Sequence, residues 1–89
     1  MSLYANWELK IDDVVFKALK KIPTKNREVL LSAIKLLPTN PYYGDLQKMQ
    51  SEENSWRRRV GSYRIFFKIQ TEEKIILVFK LKRRTSHTY

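Results

Sequence analysis

The sequence predicts an α+β fold in which an N-terminal strand and an α-helical hairpin pack on a mostly antiparallel, twisted β-sheet. Two observations carry this expectation. Apolar residues recur at helical spacing from Ile11 to Leu37, and the period changes to strict alternation from Trp56 onward. Between the halves lies PTNPYYGD, residues 38–45, a concentration of turn formers. With 89 residues, 43% of them hydrophobic, the chain has material for one modest core, and residues 1–89 are read as a single domain.

Each element has its own signal. Residues 3–10, LYANWELK, alternate loosely around Tyr4 and Trp7, as a first strand does. From Ile11 a helix is expected, with Val15, Leu19 and Ile22 at i, i+4 and i+7. Asp12 and Asp13 near its start, and Lys17, Lys20 and Lys21 near its end, complement the helix dipole, and Pro23 stops it. Thr24 is the expected N-cap of a second helix, with Leu30, Ala33, Ile34 and Leu37 along one face. So short a link makes the two helices a hairpin. DLQKMQSEENS, residues 45–55, reads as an exposed loop whose acids screen part of the sheet.

The remaining residues read as three strands in a meander. In YRIFFKIQ, Ile65, Phe67 and Ile69 alternate with Arg64, Phe66 and Lys68; in KIILVFKLK, Ile75, Leu77, Phe79 and Leu81 alternate with Ile76, Val78, Lys80 and Lys82. TEEK between them suits a hairpin turn. One face of such a sheet packs on the helices and the other, cationic face stays open.

Composition narrows the chemistry. There is no cysteine, and the lone histidine, His87, cannot build a metal site by itself. No apolar run approaches the roughly 20 residues that cross a bilayer, and MSLYANWELK lacks a signal-peptide core, so the cytoplasm is the default location. Residues 1–55 hold eight Lys and Arg against seven Asp and Glu, whereas residues 56–89 hold ten against two, so nearly all of the net charge of +9 follows Ser55. That concentration asks for an anionic partner, most commonly nucleic acid; an anionic membrane or an acidic protein satisfies the same electrostatics.

On a strand, Arg57 and Arg59 point to one side, about 6 to 7 Å apart, with Arg58 on the other. Arg64 opens the next strand near Arg59, and the last strand adds Lys80 and Lys82 and runs into Arg83 and Arg84, so a phosphate clamp is geometrically available. Trp56 and Tyr63 read as core residues. Phe66 shares the cationic face and is the candidate for stacking on a base, with Lys68 beside it.

WRRRVGSYRIFF followed by VFKLKRRTSHTY resembles the RelE/ParE toxin superfamily, with its Trp-basic-x-basic, Val-Gly-Ser-Tyr-Arg and closing basic-basic segment ending near a Tyr. KLP-NP-YYGDLQKM is similar to the family's loop ahead of the sheet. The resemblance implies the RelE-like microbial ribonuclease fold and a toxin of a type II toxin–antitoxin pair. RelE-like members are ribosome-dependent messenger endoribonucleases held inactive by a cognate antitoxin; ParE-like members share the fold and poison DNA gyrase. The catalytic positions so implied fall on Arg57, Arg59, Arg64, Lys82, Arg83 and Tyr89, and Phe66, Lys68, Lys80, Arg84 and His87 complete the RNA contacts.

Arginine does not readily deprotonate, so Arg57 and Arg59 are charge stabilisers rather than bases. Tyr89, a phenol of unperturbed pKa about 10 among cations that favour its phenolate, is the candidate to take the 2′-hydroxyl proton, with Lys82 or His87 to supply or relay one. That scheme asks for no metal and no cofactor. The partners implied are a small acidic antitoxin, messenger RNA and the ribosomal A site, and no membrane. The alternatives are a ParE-like gyrase inhibitor without nuclease activity and a nonenzymatic nucleic-acid-binding module.

Overall fold

A computed structural model describes residues 7–50 and 54–83. The order is β1 (Glu8–Ile11), α1 (Asp13–Lys20), α2 (Thr24–Leu36), β2 (Leu46–Lys48), β3 (Ser55–Val60), β4 (Tyr63–Gln70) and β5 (Ile75–Arg83). The strands form one mixed sheet ordered β1-β5-β4-β3-β2, with β1 parallel to β5 and every other pair antiparallel. Both helices pack on it.

The core forms where the two periodicities meet. Val15 and Leu19 of α1, Ile22 of the link, and Leu30, Ala33 and Ile34 of α2 with its C-cap Leu37 cover Tyr63, Ile65, Phe67 and Ile69 of β4 and Ile76 and Val78 of β5. Each Val, Leu, Ile or Phe side chain among them, fully buried, contributes about 1.5–3 kcal/mol. The hairpin is pinned by Arg27, which donates from Nε to the Leu19 carbonyl at 3.0 Å and from Nη2 to that of Ile22 at 2.9 Å. One carbonyl in the last turn of α1 and one in the link are thereby bonded by α2.

Three local expectations are corrected. First, β1 runs on through Ile11, paired with Val78, so α1 starts at Asp13, after Asp12; Pro23 rather than Thr24 precedes α2, its φ of −54° suiting helix entry. The expected strand residues 3–6 lie outside the described residues.

Second, the stretch read as a loop contains β2, which pairs Leu46, Gln47 and Lys48 with Arg58, Arg57 and Trp56. Three residues carry no period of their own. The edge of β3 supplies the ladder that orders them, while residues 51–53 lie outside the described residues.

Third, β5 does not alternate throughout. Phe67 faces Val78 but Phe66 faces Lys80, so Phe79 is an extra residue at a β-bulge. Before the bulge Ile76 and Val78 enter the core; after it Leu81 does, and Lys80 and Lys82 pass to the other face. Strict alternation would have left both lysines on the side that packs against the helices.

Candidate functional site

Side chains directly opposite each other in an antiparallel pair share a face. The face turned away from the helices therefore carries two lateral rows. One runs Arg59, Arg64, Lys82 across β3, β4 and β5, with Asp45 at its outer end just before β2; the next runs Gln47, Arg57, Phe66, Lys80 across β2 to β5. A hollow of about 250 Å³ lies between them, lined by Asp45, Leu46, Gln47, Arg57, Arg59 and Arg64.

Arg59 faces Arg64 directly, a like-charge pair that destabilises a sheet by itself. Asp45 offsets it. The Arg59 backbone N–H donates to the Asp45 carbonyl at 3.0 Å, and the guanidinium contacts carboxylate Oδ2 from Nε at 2.9 Å and from Nη2 at 2.8 Å. The two side chains are 52% and 57% exposed, so the ion pair is worth only about 0–1 kcal/mol. Arg57 is held differently, by the neutral Gln47, whose Oε1 accepts from Nε at 3.1 Å and also from Nη2. Its charge is thus oriented without being cancelled. Arg64 is half-buried and makes no ion pair with a described residue.

The arrangement can receive an anion of phosphate size. Its guanidiniums come from two adjacent strands of the sheet, so their spacing is set by backbone ladders and not by loop conformation. Among the described residues no three His, Cys, Asp or Glu side chains are grouped to hold a metal ion, and no helix is long and apolar enough to cross a membrane.

The residues singled out in the sequence separate here. Arg57, Arg59 and Arg64 meet at the hollow, and Lys82 extends their row. Lys80 and Lys68 share that face, with their ammonium groups 5.4 Å and 5.5 Å from the ring centres of Phe66 and Phe79. Phe66 lies on the expected face but is only 6% exposed, so its ring is not open for stacking in this state. Arg83 lies opposite Tyr63, a core residue, and so belongs to the helix side, where it lines a separate hollow with Lys21 and Pro23. Arg84, His87 and Tyr89 lie outside the described residues.

Arg58 turns to the helix side, opposite Ile65, and is 9% exposed. Its guanidinium lies 5.4 Å from the Tyr43 ring centre, and its Nη1 has no hydrogen-bond partner among the described residues. Gly44, at φ +96°, makes room for it: a Cβ there would stand 2.8 Å from Arg58 Nε. Sequence reasoning missed Gln47, in β2, and Asp45, just before it, as site residues because that strand was missed. Their spacing of two, matching that of Arg57 and Arg59, was the available signal.

The sequence pattern of one family, described as the ParE toxin of type II toxin-antitoxin system, parDE, matches residues 9–87. A Methanocaldococcus jannaschii protein named "Putative toxin RelE1" is 27% identical over 81 residues, covering 88% of this chain and 90% of its own. Among solved structures, the Pyrococcus horikoshii RelE–RelB complex contains a chain of similar fold, with TM-score 0.79 and 27% identity over 91% of this chain and 98% of that one. The isolated E. coli RelE toxin shares the fold at TM-score 0.76 and 16% identity, over 91% of this chain and 87% of that one.

Proposed function

Since the chain belongs to the ParE toxin family of type II toxin–antitoxin systems, and with it to the RelE/ParE superfamily, we propose that it is a RelE-like endoribonuclease that cuts messenger RNA on the ribosome. The observation that carries this reading is the convergence of Arg57, Arg59 and Arg64 on one open hollow, with Lys82 continuing their row. The reaction is attack of a ribose 2′-oxygen on the adjacent phosphorus. The bond from phosphorus to the 5′ oxygen breaks, leaving a cyclic phosphate and a free 5′-hydroxyl.

A phosphodiester in the hollow gains charge on its nonbridging oxygens as the pentacovalent species forms. Guanidiniums held by a β-ladder stabilise that charge without moving, and Arg64 is the one most free to do so. Tyr89 takes the 2′ proton and Lys82 or His87 returns one to the leaving oxygen, roles that rest on the resemblance of the tail. Lys68, Lys80 and Arg84 grip neighbouring phosphates. Arg83, on the helix side, is left outside the reacting centre. Such a protein works in the cytoplasm beside translating ribosomes.

The test is primer extension on messenger from cells induced for the toxin. Wild type produces cuts within reading frames, and Arg64→Ala lowers the cleavage rate by about 10²- to 10³-fold, the loss typical of one transition-state donor. Growth arrest with intact messenger would sink the reading. A second reading, a ParE-like gyrase inhibitor, is favoured by the identity of the matching family pattern; accumulation of gyrase cleavage complexes on induction selects it.

The partner is a cognate antitoxin, since the Pyrococcus horikoshii relative forms a complex with RelB. An acidic segment matches the +9 charge, and apolar residues have Val14, Phe16, Val29 and Leu36 on the outer helix surfaces to cover. Co-expression with the small acidic protein of the adjacent reading frame should restore growth.

A further inference from the structure

We propose that Asp45 is a resident counter-anion of the hollow, which holds Arg59 while the site is empty and yields that guanidinium to an incoming phosphate. It rests on the phosphodiester reading above and extends it to a residue that sets how tightly the site binds. Three observations support it. Asp45 lines the same hollow as the arginines, so its carboxylate stands where an anion would enter. It takes both the Nε and the Nη2 of Arg59 on a single oxygen, Oδ2, occupying the guanidinium edge best shaped for phosphate. The pair is more than half exposed, so water replaces the carboxylate contact readily when Arg59 changes partner.

The contrast with Arg57 makes the assignment specific. Gln47 orients Arg57 through a neutral oxygen and leaves its charge whole, so an arriving phosphate adds to that contact without competing with it. At Arg59 one anion must leave as another binds. The hollow therefore offers two committed cations, Arg57 and Arg64, and a third that is released only to a ligand able to outcompete a carboxylate. A phosphodiester in the hollow meets Arg57 and Arg64 as well as Arg59, whereas the Asp45 carboxylate pairs with Arg59, which gives Asp45 a part in selectivity as well as affinity.

The experiment titrates inorganic phosphate into the purified protein and follows the arginine Nε–Hε and aspartate carboxylate resonances by NMR. In wild type the Arg59 Nε–Hε and Asp45 carboxylate signals move together as phosphate binds. Asp45→Asn, which keeps an acceptor oxygen but no charge, binds phosphate about two- to fivefold tighter, and Asp45→Glu behaves as wild type. A 2′-O-methyl RNA oligonucleotide, which cannot be cut, gives the second arm: its affinity falls more steeply with salt for Asp45→Asn, by at most about 0.7 in the log–log slope. An Asp45 signal that stays still while phosphate saturates the site, or an Asp45→Asn protein that binds no tighter, overturns the proposal. If wild type ignores the oligonucleotide, the ribonuclease reading falls, and the phosphate titration still decides the role of Asp45.

Discussion

Arg57 and Arg58 are neighbours in the chain and opposites in the fold. Arg57 lies on the open face, oriented by Gln47 beside an anion-sized hollow, whereas Arg58 is sunk against Tyr43 and Gly44 with a buried Nη1 that no described residue satisfies. The same contrast divides the whole sheet. Its helix side carries the apolar core that holds the fold together, with Arg58 and Arg83 at its margins; its open side concentrates like charges that work against folding. Stability and function thus occupy alternate residues of the same strands.

Substitutions on β4 break that division most sharply. Phe67 is fully buried on the helix side, and Phe67→Ala should cost about 3–5 kcal/mol, read as a lower urea midpoint or Tm. Arg64→Ala, three positions away on the other face, should leave stability within about 0.5 kcal/mol of wild type while cleavage falls about 10²- to 10³-fold. If Arg64→Ala unfolded the protein as Phe67→Ala does, the two faces would not be separable.

Arg58 gives the next largest effect, and its sign is informative. A buried cation with no acid against it among the described residues is a cost, so Arg58→Met, similar in length and apolar, should be neutral or stabilising by up to about 1 kcal/mol. Arg58→Ala should lose about 1–3 kcal/mol through the void it leaves beside Tyr43. Thermal unfolding of the two variants checks this. The side of the strand that Arg58 takes, away from the hollow, was legible from alternation alone, but its burial was not, because burial depends on Tyr43 and Gly44 folding over it from a distant turn.

Other parts of the molecule show where a sequence stops being readable. The helices and β4 were legible because each repeats one period over eight or more residues against a single core. The short β2 was not, since an edge strand of three residues is created by its neighbour's unpaired ladder. The bulge at Phe79 was hidden in IILVF, an apolar run that fits either face. A trace of it was nevertheless present: strict alternation put Lys80 and Lys82 with Ile76 and Val78, and lysines do not share a buried face with isoleucine and valine. In this strand the conflict is resolved by inserting one residue, Phe79, between the two sets.

The bulge also yields the smallest and most selective prediction. It sends Lys82 to the open face, opposite Arg64, and leaves Arg83, the next residue, opposite Tyr63 on the helix side. Two adjacent cations of equal formal charge should therefore differ in what they do to RNA. Lys82→Gln should flatten the salt dependence of affinity for an uncleavable single strand by about 0.7 in the log–log slope, one phosphate's share, whereas Arg83→Gln should leave the slope within error. Long-range charge alone treats the two variants alike, so equal slopes would show that the parent face is read as a diffuse field. Unequal slopes would tie one phosphate contact to the side of the sheet that a single inserted residue selects.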